Sequence, residues 1–226
     1  MGLAINIRNQ IAKRAASEIK TGMVVNLGIG IPSLVPNHLA EDVQVMFHAE
    51  NGIVGMGASP KKGMEDENLC NAGGLPVTII EGASYCDSAV AFAMIRRGRV
   101  DLTILGALQV SEKGDLANWI VPGKKIPGMG GAMELAQKTR KVIVVMSHTD
   151  SKGRSKIVRN CTLPLTSANC VDMIITDMGV FEVGREGLVL REYFADYTID
   201  KIKSMTDCQF AIHEEVCVIP TEPKTT

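Results

Sequence analysis

Near the start of the chain apolar residues recur every four positions, at Ile7, Ile11, Ala15 and Ile19, with Arg8, Lys13, Arg14 and Lys20 between them. This spacing predicts an amphipathic helix that ends at Gly22. The pattern then changes to short unbroken apolar runs: MVVNLGIGI, VQVMFH (43–48), PVTIIEG (76–82), VDLTILGALQV (100–110) and KVIVVMSH (141–148). Each reads as a strand buried in a sheet, and the run 100–110 as a central strand that is apolar on both faces. Between the strands, Pro32 starts a short helix through Leu39. Asp87-Ser88 leads into the apolar helix AVAFAMIRR, closed by Gly98, and Gly130-Gly131-Ala132 opens the helix MELAQKTR. VDMIITDMGVFEV (171–183) and LVLREYF (188–194) read as a hairpin turning at 184–187, and Thr198 caps a closing helix, Ile199 to Met205. The stretch 111–129 has no regular period. Strands alternating with helices from end to end predict an open α/β domain with a mainly parallel sheet and helices on both faces.

Composition narrows the picture. A length of 226 residues allows one core without disulfide staples, and no repeat or linker divides it, so residues 1–226 are expected to form a single domain. With 24 Lys+Arg against 25 Asp+Glu there is no surplus of positive charge for phosphate backbones, which argues against nucleic acid as a partner. No apolar run approaches the length of a membrane span, so a membrane association is not expected. The first twenty residues lack the apolar region of a signal peptide, and Asn6 stands where a myristoylation motif has Ser or Thr. The cytoplasm is the expected compartment. Cysteines at 70, 86, 161, 170, 208 and 217 form no CxxC pair and are expected to be free, mostly buried thiols. His38, His48, His148 and His213 show no metal-binding spacing, so no metal site is expected.

Three glycine-containing elements follow the expected strands, where open α/β sheets bind ligands. The first, Asn26-Leu27-Gly28-Ile29-Gly30, is half of a dinucleotide fingerprint but has Ser33 where the third glycine belongs, and reads better as a turn that lets a backbone or ligand approach. In the second, Glu50 ends an apolar strand just before the Asn51-Gly52 turn. An isolated glutamate there is ordinarily a solvated surface charge, but the apolar residues on both sides offer little polar surface to share its exposure. The third, Gly128 to Ala132, places backbone amides at a helix start, suited to an anion or a developing oxyanion and equally to a plain turn. Trp119 reads as a packed loop residue, and Lys124 and Lys125 as solvated surface.

NLGIGIPSLV, HAENGIVGMG, DLANWIVPGK and GMGGAMEL stand in order along the chain, and together they resemble the β subunit of the 3-oxoacid CoA-transferases. The likeness runs from about Arg8 to past Tyr193. It implies the open α/β fold shared by CoA-transferases and sugar-phosphate isomerases, with Glu50 as the covalent nucleophile. It also implies that Gly131 and Ala132 lie at the active site, with the Gly131 amide as an oxyanion donor. Asn26 would orient Glu50 or the substrate carboxylate, and Gly28, Gly30, Asn51, Gly52 and Gly130 would shape the loops. Two positions depart from the family: Ala49 where Ser is common, and Gly74 where some relatives carry Lys.

The resemblance further implies an α-subunit partner in an α2β2 assembly, acyl-CoA and carboxylate substrates, and no tightly bound cofactor; coenzyme A itself would be substrate and covalent intermediate. CoA would move from an acyl-CoA to a carboxylic acid, a short-chain or 3-oxo acid, through an acyl-glutamyl anhydride and a glutamyl-CoA thioester. A glutamate is ionised at neutral pH and needs no general base to attack. Two alternatives share the fold: a sugar-phosphate isomerase, in which Glu50 acts as a base and is never acylated, and a sensor that binds CoA or a sugar phosphate.

Overall fold

The structure, a computed structural model, describes residues 3–123 and 128–221. In chain order the elements are α1 (Ile5–Ala16), β1 (Val24–Leu27), a 3-10 helix (Pro32–His38), β2 (Met46–Ala49), β3 (Ile53–Met56), β4 (Ile79–Tyr85), α2 (Ser88–Arg96), β5 (Leu102–Gly106), β6 (Gln109–Ser111), β7 (Leu116–Ala117), α3 (Ala132–Lys138), β8 (Lys141–Val145), β9 (Ile157–Val158), β10 (Met173–Ile175), β11 (Gly179–Gly184), β12 (Gly187–Phe194), α4 (Ile199–Met205) and β13 (Phe210–Ile219). Ten strands form one sheet in the order β13-β12-β11-β10-β8-β5-β1-β2-β3-β4, and β7-β6-β9 form a small second sheet. The centre of the large sheet, β10-β8-β5-β1-β2, is parallel throughout, with antiparallel pairings added on both sides.

Alternation along the central strands divides the core in two. Ile143 and Val145 of β8, Leu102 and Ile104 of β5 and Val25 of β1 pack with Ile11, Ala12 and Ala15 of α1. Val142 and Val144, together with Leu105, point to the other face and meet Ile95 of α2, Leu135 of α3 and Ile202 of α4. Helices therefore cover both faces, which is why these strands are largely apolar on both, with Asn26 and Thr103 as buried polar exceptions. Fully burying an aliphatic side chain such as Ile143, which has no exposed surface, stabilises by about 1.5–3 kcal/mol.

Several elements depart from the sequence reading. The run 100–110 is two strands in different sheets: β5 stops at Gly106, whose carbonyl accepts from Asn118 Nδ2 at 3.2 Å, and β6 turns away to pair with β7 and β9. The run 171–183 is also two strands, because Thr176 Oγ1 accepts the amides of Met178 and Gly179 and reverses the chain between β10 and β11. β3, β7, β9 and β13 were not expected. All six cysteines are free, but none is fully buried: Cys70 and Cys217 are exposed and the other four are half-buried. Cys70 sits in a surface loop and Cys217 on the edge strand, which explains the departure. The expected hairpin at 184–187 and the Thr198 cap of α4 are present.

Candidate active site

The site grows from one line of register across the sheet. Asn26 of β1 stands opposite His48 of β2 on one side and Thr103 of β5 on the other. All three are wholly buried. They lie on the sheet face covered by α2 and α3, because their neighbours Val25, Phe47, Leu102 and Ile104 turn to the α1 face. Buried polar groups are costly unless paired, and these are paired with one another. Asn26 Nδ2 lies 3.2 Å from His48 Nδ1 and 3.1 Å from the His48 carbonyl oxygen; Thr103 Oγ1 lies 3.5 Å from Asn26 Oδ1. His48 Nε2 lies 3.1 Å from the Ala91 carbonyl in α2. Burial holds the His48 imidazole below its ordinary pKa, against smaller opposing contributions from the Ala91 bond and the Glu50 charge.

Two residues beyond His48, and so on the same side of the strand, Glu50 meets this row. Asn26 Nδ2 donates to Glu50 Oε2 at 3.0 Å. Among the described residues Oε1 accepts no hydrogen bond. Glu50 is half-buried and follows Ala49 in a tight turn closed by the Gly52 amide donating to the Ala49 carbonyl at 2.9 Å. Gly52 is required there: its φ is +116°, and a Cβ would lie 2.1 Å from the Cys86 carbonyl oxygen. Asn51 turns away from Glu50 and donates from Nδ2 to the Cys70 carbonyl at 2.8 Å, tying the segment around residues 70–75 to the rim.

Gly131 faces the carboxylate. A Cβ on it would lie 3.6 Å from Glu50 Cγ and 3.1 Å from the ring of Phe92 in α2, so an uncrowded approach needs glycine. The Gly131 amide donates to no other described residue, whereas the Ala132 amide reaches the Met129 carbonyl at 3.3 Å. Gly130 forms the turn before them with a positive φ. Gly28 donates its amide to Ile104 at 2.8 Å, anchoring the loop after β1 to β5, and Gly30 takes a positive φ in open space. Lys124 and Lys125 lie outside the described residues. Trp119 is a half-buried loop residue whose Nε1 donates to the Leu165 carbonyl at 3.2 Å.

Sequence reasoning thus named Glu50, Asn26 and Gly131, which come together, but missed His48, Thr103 and Phe92. One signal for His48 was available: two residues apart on a strand, His48 and Glu50 share a face. The loop after β1, the end of β4 and the helices α2 and α3 expose apolar side chains, notably Ile29, Tyr85, Val90 and Met133. Among the described residues no group of three or more His, Cys, Asp or Glu is placed to hold a metal ion, and no helix is long and apolar enough to cross a membrane.

Comparison with known proteins identifies the family. The coenzyme A transferase family model matches residues 8–205. A probable coenzyme A transferase β subunit of Bacillus subtilis is 63% identical over 212 residues, covering 94% of this chain and 98% of the relative. The corresponding subunit of the succinyl-CoA:3-ketoacid coenzyme A transferase of Helicobacter pylori is 47% identical over 207 residues, covering 92% of this chain and all of the relative (100%). Among solved structures, an acyl-CoA transferase (YdiF) of Escherichia coli superposes with a TM-score of 0.76 at 20% identity over 97% of this chain, which spans 44% of that one. A family model over most of the chain and relatives at 47–63% identity define an enzyme that transfers CoA. The chain belongs to the coenzyme A transferase family, as a β subunit.

Proposed function

We propose that this subunit moves CoA from an acyl-CoA to a carboxylic acid through intermediates held covalently on Glu50. The observation that carries the reading is the asymmetry of the Glu50 carboxylate: Oε2 is held by Asn26 at 3.0 Å, while Oε1 has no partner among the described residues and Gly131 stands beside the side chain. Oε1 attacks the thioester carbonyl, its oxygen takes the negative charge, and the Gly131 amide donates to that oxyanion. Collapse expels CoA thiolate and leaves an acyl-glutamyl anhydride. The thiolate then attacks Glu50 Cδ. Charge now develops on Oε2, the atom already facing Asn26, and collapse releases the first carboxylate and leaves glutamyl-CoA thioester. The second carboxylate runs both steps in reverse. One well-aimed donor is worth about 3–4 kcal/mol to such an oxyanion.

Both bacterial relatives are named as one subunit of their enzyme, which supports a working complex that also contains an α subunit. The exposed apolar residues Ile29, Tyr85, Val90 and Met133 suit burial by that partner, and we take the assembly to be α2β2. The chain acts as one domain of the complex, in the cytoplasm, where free thiols persist. Short-chain and 3-oxo acids are the proposed acyl groups, in line with the relative named for succinyl-CoA and 3-ketoacids. CoA is bound only as substrate and intermediate.

The test is trapping on the α/β complex. Incubation with an acyl-CoA, treatment with borohydride or hydroxylamine and peptide mapping by mass spectrometry are expected to find modification at Glu50. Glu50→Gln should abolish it and lower turnover by roughly 10⁴-fold or more. Full turnover with Glu50 unmodified would overturn the reading, and so would robust transfer by this chain alone.

A further inference from the structure

We propose that His48 is a positioning residue that fixes the sense in which the Asn26 amide faces Glu50, and that it ties the nucleophile to α2. The proposal rests on the transferase reading of Glu50 and adds to it a residue that is wholly buried.

The Ala91 carbonyl can only accept, so the His48 nitrogen 3.1 Å from it, Nε2, carries a proton. In the neutral ring Nδ1 is then a lone pair, and burial favours the neutral form. What faces Nδ1 at 3.2 Å must therefore be the NH2 end of Asn26. That same nitrogen faces the His48 carbonyl at 3.1 Å and Glu50 Oε2 at 3.0 Å. With the amide reversed, its oxygen would confront three acceptors and its nitrogen would be left with the Thr103 hydroxyl, 3.5 Å from the present oxygen. Reversal is costly, because buried polar groups without partners lose their hydration uncompensated.

Fixing the amide matters for the second chemical step. A donor already aimed at Oε2 needs no rearrangement when thiolate attack places charge there. The imidazole transmits this order from α2, whose first turn supplies the Ala91 carbonyl and whose Phe92 backs Gly131. One helix thus supports both donors: the amide on the acyl side directly and the amide on the Glu50 side through His48.

His48→Leu fills similar space without an acceptor. His48→Asn loses the ring but restores an acceptor oxygen near the place of Nδ1. A residue that only fills space would make the better-packed Leu variant the faster enzyme. We expect the reverse: in the α/β complex, Glu50 labelling by acyl-CoA slows about 10–100-fold in His48→Leu, with KM for acyl-CoA little changed, and His48→Asn recovers much of the rate despite a lower melting temperature. Should His48→Leu fail to assemble, His48→Met, whose flexible chain fits irregular space, replaces it in the comparison. Labelling of the acceptor-free variant at the parent rate, or no faster labelling in His48→Asn, overturns the proposal. No label at Glu50 in the parent complex overturns the transferase reading and this proposal with it, a result distinct from equal labelling of all the proteins.

Discussion

A carboxylate is a weak nucleophile towards a thioester, so in the proposed mechanism the groups around Glu50 matter more than its charge. Asn26, which holds one oxygen of Glu50, is the neighbour that this mechanism depends on. Asn26→Asp tests this with almost no change of shape. Two carboxylates about 3 Å apart cannot both ionise freely, and the introduced carboxyl, once protonated, could still donate to Glu50 as the amide does. Turnover of Asn26→Asp is therefore expected to fall about 100-fold at pH 8 and to recover in part as the pH is lowered towards 6, whereas Asn26→Ala stays low throughout. Pre-steady-state rates across this range check it. At this scale the local turns made Glu50, before Asn51-Gly52, and Gly131, before a helix, candidates only; their roles came from the resemblance to the family. His48, Thr103 and Phe92 were hidden because their importance comes from cross-strand register and helix packing, which no short motif displays. Gly74, where some relatives have Lys, has a φ of +75°, a conformation that glycine adopts without strain.

Among the elements, α2 connects most directly to the chemistry. Its start is fixed by Asp87, whose Oδ1 accepts the Val90 amide at 2.8 Å. Asp87→Ala should cost about 1 kcal/mol, read from the urea midpoint, and should loosen the Ala91 carbonyl that His48 needs. Labelling of Glu50 should slow in the same variant although the Asp87 carboxylate bonds only the Val90 amide among the described residues. α1 is held differently: Arg14 makes a two-pronged ion pair with Glu192 of β12, at 2.6 Å for both contacts, and Glu18 joins Arg14 to Lys141 of β8. The helices were legible from local apolar runs and, for α2 and α4, from their Asp87 and Thr198 caps. However, α1 ends at Ala16 rather than at Gly22, because Ser17 closes it while Ile19 packs into the core from the following turn. The strand runs 100–110 and 171–183 misled because continuous hydrophobicity says that a segment is buried, not where it changes sheet. β13 escaped notice because its parallel pairing with β12 is set by distant residues.

For the molecule as a whole, the second core carries a built-in sensitivity to acid. His148 is wholly buried, with Nδ1 3.0 Å from Thr176 Oγ1 and Nε2 3.0 Å from Thr206 Oγ1. Burial pushes its pKa down to about 4, helped by the Lys156 charge. The unfolded chain takes up this proton near the ordinary 6.5, before the folded chain can. This contribution to stability is therefore complete above pH 6.5, declines as the pH falls towards 4, and is gone below it. The full loss is about 3 kcal/mol. Urea midpoints from pH 7.5 to 4 should fall more steeply in the parent than in His148→Gln, and parallel curves would refute the assignment. The open α/β architecture was legible because both faces of the central strands are largely apolar; the placement of the edge strands was not.

The polar row of His48, Asn26 and Thr103 bears on how this chain can vary over time. Side chains alternate strictly along a strand, so one residue gained or lost in β1 ahead of Asn26 would roll the amide into the oily layer beneath α1 and lift a valine or leucine against Glu50. Drift in composition is open to these strands, but a change in their length is not. Natural insertions and deletions should accumulate in the outer loops and leave β1, β2 and β5 at constant size.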